Sequence, residues 1–384
     1  MAILVAPDSF KGTATATEAA YQIARGLRAG WDKAPQHSNA HQGDLCEQSL
    51  TICPLADGGE GTSFLLAQHA GGAECIELPT TDAYGRLSSA RYYLKDSTAY
   101  IDVAAASGLP ATQVGDPKHA DTYGTGVLIA DAQARGAAHI VLGLGGSATV
   151  DGGMGILTAL GANGHDNRGY ALPKGGAPLV NLHEIDLAQL NIKAAALDFT
   201  LLADTKCPPQ HAAALYGPQK GAQGQDIALL TGALLQLCDV TGTDPSRTFF
   251  GAAGGVPIAL TWLSASLWGN EDHIRIVSGA EYMCEQLGIR ELLPPTDDRN
   301  IIVTGEGAFD AQSITGKVVG TLSDIAATLP AELFIVAGKV DHEEVTRLAA
   351  RLPSPVTAIE LPAADTLEEQ FHRAGQKIAQ ALIR

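Results

Sequence analysis

Positive charge is scarce in this chain: 25 Lys and Arg stand against 42 Asp and Glu, a formal net charge of −17 over 384 residues. That balance excludes nucleic acid and anionic membrane surfaces as natural partners. Cysteine is equally sparse. The six cysteines, at 46, 53, 75, 207, 238 and 284, include no C-x-x-C pair, and several sit inside apolar patterns. They read as reduced structural thiols, and a zinc site has no support. No apolar run approaches the roughly 18–20 residues that a membrane helix needs. The N-terminus, Met1 to Asp8, has no basic stretch and only a short apolar run before Pro7-Asp8, so it is not a signal peptide. A soluble, cytoplasmic protein is the expectation.

What is abundant is glycine, 43 residues, within a chain that is 46% hydrophobic and 17% charged. Such a composition packs a core. Much of the glycine falls in three segments that follow apolar, strand-like runs: Leu55–Thr62, Gly143–Gly155 and Thr304–Asp310. Without a Cβ, the backbone of such a loop can turn its N–H groups toward an anion, and a following helix adds its positive end. The same loops carry carboxylates, which would repel a bare phosphate unless a divalent cation lay between. Phosphate with Mg²⁺ is the reading this pattern favours.

The length predicts two domains. Strand candidates Ile3–Ala6, Leu50–Pro54, Asn300–Thr304, Leu333–Ala337 and Val356–Ile359 are each followed by a helix pattern. The first helix, about Thr15 to Ala29, has Thr15 or Thr17 as its cap with Glu18 in the first turn. Five short βα units predict a doubly wound parallel sheet. Between them the character changes to alternating runs such as Ala90–Leu94 and Ala99–Val103, which predict antiparallel strands. The expected architecture is therefore α/β: residues 1–74 plus 276–384 form a doubly wound domain, and residues 75–275 form an inserted α+β domain. Ligands of open sheets bind at the carboxyl ends of strands, which puts the expected site in an interdomain cleft. The polar stretch Ala34–Ser49 reads as a surface excursion, and its His37 and His41 as solvent-facing rather than metal ligands.

Two nucleotide signatures fail on inspection. Gly143-x-Gly145-x-x-Ala148 lacks the acidic strand end that ribose recognition requires, which disfavours a dehydrogenase. Ala311–Val318 contains Gly316-Lys317 but neither the first glycine nor the closing hydroxyl residue of a Walker A loop. The loops still supply the parts of phosphoryl transfer. Lys11, in Asp8-Ser9-Phe10-Lys11-Gly12, is a candidate for neutralising an anion; Asp57 and Glu60 are candidates for Mg²⁺ or for the base. Asp57-Gly-Gly-x-Gly61 recurs as Asp151-Gly-Gly-x-Gly155, and an Asp that merely caps a helix after a tight turn is the alternative for each copy.

In order, Ala6–Gly12, Pro54–Thr62, Ala104–Leu109, Tyr123–Gly126, Gly143–Thr149 with Asp151–Gly153, Tyr216–Ala222, Gly251–Gly255, and Thr304–Gly307 with Asp310, Gln312, Gly316 and Lys317 make eight motifs over the full length. In these the chain resembles the type I bacterial glycerate kinases of the glycerate 2-kinase class. The resemblance implies a flavodoxin-like domain with a second domain inserted into it. It also implies phosphorylation of D-glycerate to 2-phosphoglycerate by ATP with Mg²⁺. Lys11, Asp57, Glu60 and Asp151 are the implied catalytic residues. Asp8, Ser9, Gly58, Gly59, Gly145, Gly146, Ser147, Glu306, Asp310 and Lys317 would bind substrate or nucleotide. The chain departs from the family pattern at Val127, Val150 and Ala308, and around Cys207. These departures keep two alternatives open: a kinase for another small hydroxy acid, and a non-catalytic two-domain sensor of a small acid. The oligomeric state stays open, a homodimer included.

Overall fold

A computed structural model describes residues 1–32, 50–109, 115–293, 300–329, 331–362 and 365–383. The excursion at 34–49, with His37, His41 and Cys46, lies outside the described residues, apart from which every cysteine is free. Among the described residues no helix is long and apolar enough to cross a membrane. In chain order the strands are β1 (Ala2–Val5), β2 (Leu50–Ile52), β3 (Glu74–Thr81), β4 (Leu87–Lys95), β5 (Thr98–Asp102), β6 (His139–Gly143), β7 (Asn163–His165), β8 (Glu184–Asp186), β9 (Asp198–Ala203), β10 (Ile274–Ser278), β11 (Asn300–Phe309), β12 (Ala331–Val340) and β13 (Val356–Glu360). The chain divides into two compact units: Met1–Asp57 with Ala280–Arg384, and Gly58–Gly279.

In the first unit the strand order is β13-β12-β11-β1-β2, every neighbour parallel. Counted along this unit the order is 2-1-3-4-5, the flavodoxin-like arrangement, with its switch point between β1 and β11. All five expected strands are present. Their apolar residues are buried because helices cover a parallel sheet: Ile3, Val5, Ile301, Val303, Phe334 and Val336 form one core with Ile23, Leu27, Phe371 and Ile378 from helices Ala16–Asp32 and Leu367–Ile383. Each such side chain contributes about 1.5–3 kcal/mol on burial. The first helix starts with a reciprocal capping box: Glu18 N–H donates to Thr15 Oγ1 at 3.2 Å, and Thr15 N–H donates back to Glu18 Oε2 at 2.9 Å.

One expectation is corrected here. Thr304–Asp310 is not a loop: β11 runs on through Gly305-Glu306-Gly307 to Phe309, in register with β12 as far as Phe309 opposite Val340. Glycine at 305 serves close packing, since a Cβ there would sit 2.2 Å from Val336 O.

The second unit holds a six-stranded sheet in the order β10-β9-β6-β5-β4-β3. Its β10, β9, β6 and β5 are parallel, and the β5-β4-β3 side is antiparallel, as the alternating runs predict. Helix Thr62–Ala70, expected to complete the second βα unit of the outer sheet, packs instead on β4, β5 and β6. The segment after β9 contains helix Pro209–Tyr216 and a tight 3₁₀ turn, Pro218–Lys220.

Candidate functional site

In the first unit the backbone keeps pairing after β1 ends. Ala6 N–H donates to Val303 O at 2.7 Å and Asp8 N–H to Gly305 O at 2.8 Å; alongside, Leu55 N–H reaches Pro7 O at 3.0 Å. This parallel extension carries Asp8 to the switch point beside Glu306 and brings Asp57 up on the other side. All three carboxylates are buried, with exposures of 6% for Asp8, 3% for Asp57 and 7% for Glu306. Burial, then the charges of Asp57 and Glu306, push the Asp8 carboxyl well above the usual range, against the Ser9 N–H at 2.6 Å and the Lys11 charge. Glu306 is raised too, by burial first and by Asp310 and Asp57, against Ser313 and Lys317. Lys317 Nζ stands 3.9 Å from Glu306 Oε2, while Glu306 Oε1 is buried without a hydrogen-bond partner. Lys11 lies exposed on the loop, and Asp310, also exposed, accepts from Gln312 N–H at 2.8 Å.

A divalent cation fits the character of this set, because it would relieve repulsion among buried like charges and satisfy the orphaned Glu306 oxygen. Among the described residues no three His, Cys, Asp or Glu side chains are disposed to hold a metal by themselves. That suits Mg²⁺, which takes one or two carboxylates and leaves its other positions to water and phosphate oxygens.

The second unit holds the two Asp-Gly-Gly-x-Gly loop ends. Gly145 N–H donates to Gly58 O at 2.9 Å, and a Cβ on Gly145 would lie 2.7 Å from Gly59 Cα, so the two loops meet backbone to backbone. Gly61 caps helix Thr62–Ala70 in the left-handed conformation. The acceptor for that helix end is a residue the sequence did not single out: Asp102, at the end of β5, takes Gly61 N–H at 2.9 Å, Ser63 N–H at 3.0 Å and Ser63 Oγ–H at 2.9 Å. Burial first, and the Glu60 charge more weakly, lift the Asp102 carboxyl to about 6. Glu60 itself is exposed.

Asp151 behaves differently from Asp57. It is fully buried and accepts from Thr122 N–H and Oγ1–H at 2.8 Å each, from Gly155 N–H at 3.0 Å and from Gly153 N–H at 3.2 Å. Burial is the largest influence on its carboxyl, which is raised despite these donors. It ties the glycine loop to helix Tyr123–Ala134, and both of its oxygens are occupied by the protein.

Beside the loop opens a small cavity of about 30 Å³, lined by Gly145, Gly146, Ser147, Asp204 and Lys220 among others. Lys220 is only 4% exposed; its Nζ donates to Ser147 Oγ at 2.9 Å and to Thr149 O at 2.7 Å. Burial pulls the ammonium down to about 8, against the charges of Asp204 and Asp151. The family motif contained Lys220, but a Gly-Pro-Gln-Lys-Gly run gives no sequence signal of a buried cation.

The departures from the family pattern fall in varied surroundings. Val150 is buried in the core of the second unit, Val127 is half-buried on helix Tyr123–Ala134, Ala308 is exposed on β11, and Cys207 is buried, its thiol pushed up to about 11 by burial.

Comparison with known proteins gives a consistent result. Residues 3–384 match the glycerate kinase family. The chain is 31% identical to a glycerate kinase of Bacillus subtilis (strain 168), over 98% of this chain and 94% of that one. It is 32% identical to glycerate 2-kinase of Escherichia coli (strain K12), over 99% and 96%. A solved structure described as glycerate kinase 2 from Salmonella typhimurium LT2 superposes with a TM-score of 0.72 at 30% identity, covering 100% of this chain and 97% of that one.

Proposed function

This chain belongs to the glycerate kinase family, and on that premise we propose that it transfers the γ-phosphoryl group of ATP to the 2-hydroxyl of D-glycerate, with Mg²⁺ as the accompanying ion. The observation that carries this reading is the match to the family from residue 3 to residue 384, and the three buried carboxylates at the switch point support it.

The hydroxyl oxygen of glycerate forms a bond to the γ-phosphorus, the bond from that phosphorus to the β–γ bridging oxygen breaks, and the hydroxyl proton leaves to a base. Asp57 and Glu306 would hold the ion, with Asp8 beside them. When bound, Mg²⁺ neutralises charge on the β- and γ-phosphate oxygens. Lys11 and Lys317 supply positive charge for the nucleotide phosphates, a role given weight by how few cations the chain has. Asp57 is the base we favour, being buried beside Asp8 at the carboxyl end of the sheet. Glu60, exposed on the second unit, takes no part in this assignment. Asp151 positions the glycine loop rather than the reactants, because four protein donors already occupy it. Cytoplasmic residence agrees with a reaction on two soluble metabolites and completes the reading.

The test is the purified protein with ATP, MgCl₂ and D-glycerate, the product position read by phosphorus NMR. A 2-phosphoglycerate signal is expected. A 3-phosphoglycerate signal would overturn the position, and ADP release with a different hydroxy acid alone would overturn the substrate and turn attention to positions 127, 150 and 308.

A further inference from the structure

The Lys220 ammonium is buried, and both hydrogen bonds of its Nζ go to neutral acceptors. These acceptors are Ser147 Oγ and Thr149 O, and the charges of Asp204 and Asp151 favour the ammonium less than burial disfavours it. A buried ammonium that burial disfavours gains from an anion bound directly against it. A small cavity opens beside Lys220. Gly146 and Ser147 line the same cavity, and among the described residues neither N–H donates to a protein acceptor. Gly146 adopts φ +76°, a conformation that lets consecutive N–H groups form an anion-binding concavity.

The cavity also contains a carboxylate, Asp204. That argues against a phosphate, whose several charged oxygens would face Asp204 and the charge of Asp151 behind it. An α-hydroxy acid carries one carboxylate and, next to it, hydroxyl groups that donate. It matches a site with a cation on one side and an acceptor on the other.

Resting on the kinase reading above, we propose that Lys220, the Ser147 hydroxyl and the Gly146 and Ser147 N–H groups bind the carboxylate of D-glycerate, while Asp204 accepts from one of its hydroxyls. Lys220 is then the residue that makes the enzyme require an acid as acceptor.

The test compares D-glycerate with its neutral amide, glyceramide, as acceptors for the wild type and for Lys220→Met. In the variant the KM for D-glycerate should rise about 100-fold or more. The KM for ATP should stay within twofold, and the preference for glycerate over glyceramide should collapse. An unchanged KM for glycerate, or an equal rise in the KM for ATP, would overturn the assignment; the second result would give the loop to the nucleotide. If Lys220→Met does not fold by circular dichroism, the wild type alone decides. Its KM for glycerate should climb as the pH rises past about 8, where Lys220 loses its proton under the opposing influence of Asp204 and Asp151, while the KM for glyceramide stays flat. Parallel pH profiles would overturn the proposal. Failure of the wild type to phosphorylate D-glycerate would sink the kinase reading instead. Calorimetric titration with D-glycerate then judges Lys220: binding lost in the variant or above pH 8 supports it, and no binding, or binding indifferent to both, overturns it.

Discussion

The motif Asp-Gly-Gly-x-Gly occurs twice in this chain, and the two copies use their aspartate in opposite ways. At 151–155 the Asp caps the helix that follows, and four protein donors saturate it. At 57–61 the capping is done from a distance by Asp102, and Asp57 is instead buried where its charge acts on Asp8 and Glu306. The backbones differ as well: φ is positive at Gly58 and Gly61 in one copy and at Gly152 and Gly153 in the other. A carboxylate saturated with donors holds a structure together. Carboxylates crowded against one another are a cost to the fold, which makes sense where a bound cation later relieves it. On the function proposed above, the same five letters mark a structural joint in one place and reactive machinery in the other.

Substitution at the two aspartates tests this contrast most directly. Asp57→Asn should lower kcat by about a thousandfold, the size of a lost base or metal contact. Its fold should stay intact by circular dichroism, so that the loss is one of chemistry. Near-normal turnover would remove Asp57 from the mechanism. Asp151→Asn should do the reverse. An amide NH₂ facing Thr122 and Gly155 donors should cost about 3 kcal/mol in urea unfolding, with kcat/KM of the folded protein reduced less than tenfold. If Asp151→Asn were instead fully stable but inactive, the two copies would share one role.

How much of this could be read from the chain depends on the distance over which each feature is decided. The five parallel strands of the first unit were legible because each is a compact apolar run ending in a turn, so burial on both faces is written locally. The capping box at Thr15 and Glu18 was legible for the same reason. Gly305 misled: glycine there reads as punctuation, yet it lies inside β11 because Val336 O leaves no room for a Cβ. Asp102 was missed because the helix end that it caps lies 39–41 residues earlier in the chain. Lys220 was missed because its partners, Ser147 and Thr149, are 71–73 residues away, and a lysine between Gln and Gly looks like surface. Residue type announced the kind of chemistry, and which carboxylate was saturated had to come from tertiary packing.

Asp121 stands between the two extremes and sharpens the contrast by pH. It is buried beside Asp151 and accepts from Tyr123 N–H at 2.8 Å; burial, then the Asp151 charge, raise it to about 6 from the usual 3.8. A raised carboxyl means that the folded state binds the proton more tightly than the unfolded chain. Its stabilising contribution is therefore present near pH 4 and lost as the pH rises toward 6. Relative to Asp121→Asn, the wild type should lose on the order of 2–3 kcal/mol between pH 4 and pH 7. Parallel stability curves for the two proteins would show that Asp121 is not crowded after all.

The smallest effect is expected at Thr122, whose side chain is half of the Asp151 joint. Its Oγ1–H donates to Asp151 Oδ2 at 2.8 Å, and the same oxygen accepts from Ile156 N–H at 3.1 Å. Thr122→Val keeps the shape and removes both bonds, leaving one Asp151 oxygen short of a donor and one helix N–H short of an acceptor. About 1–2 kcal/mol of stability should go, since a bond to a charged acceptor is lost while Gly153 and Gly155 still hold the carboxylate. Thr122→Ser restores the hydroxyl and should recover most of that loss in the same urea titration. If Ser and Val were equally unstable, the hydroxyl would not matter, and the methyl group packed in the helix interface would be the true contribution of Thr122. The saturation of Asp151 would then rest on backbone N–H groups alone, which any residue at 122 could supply.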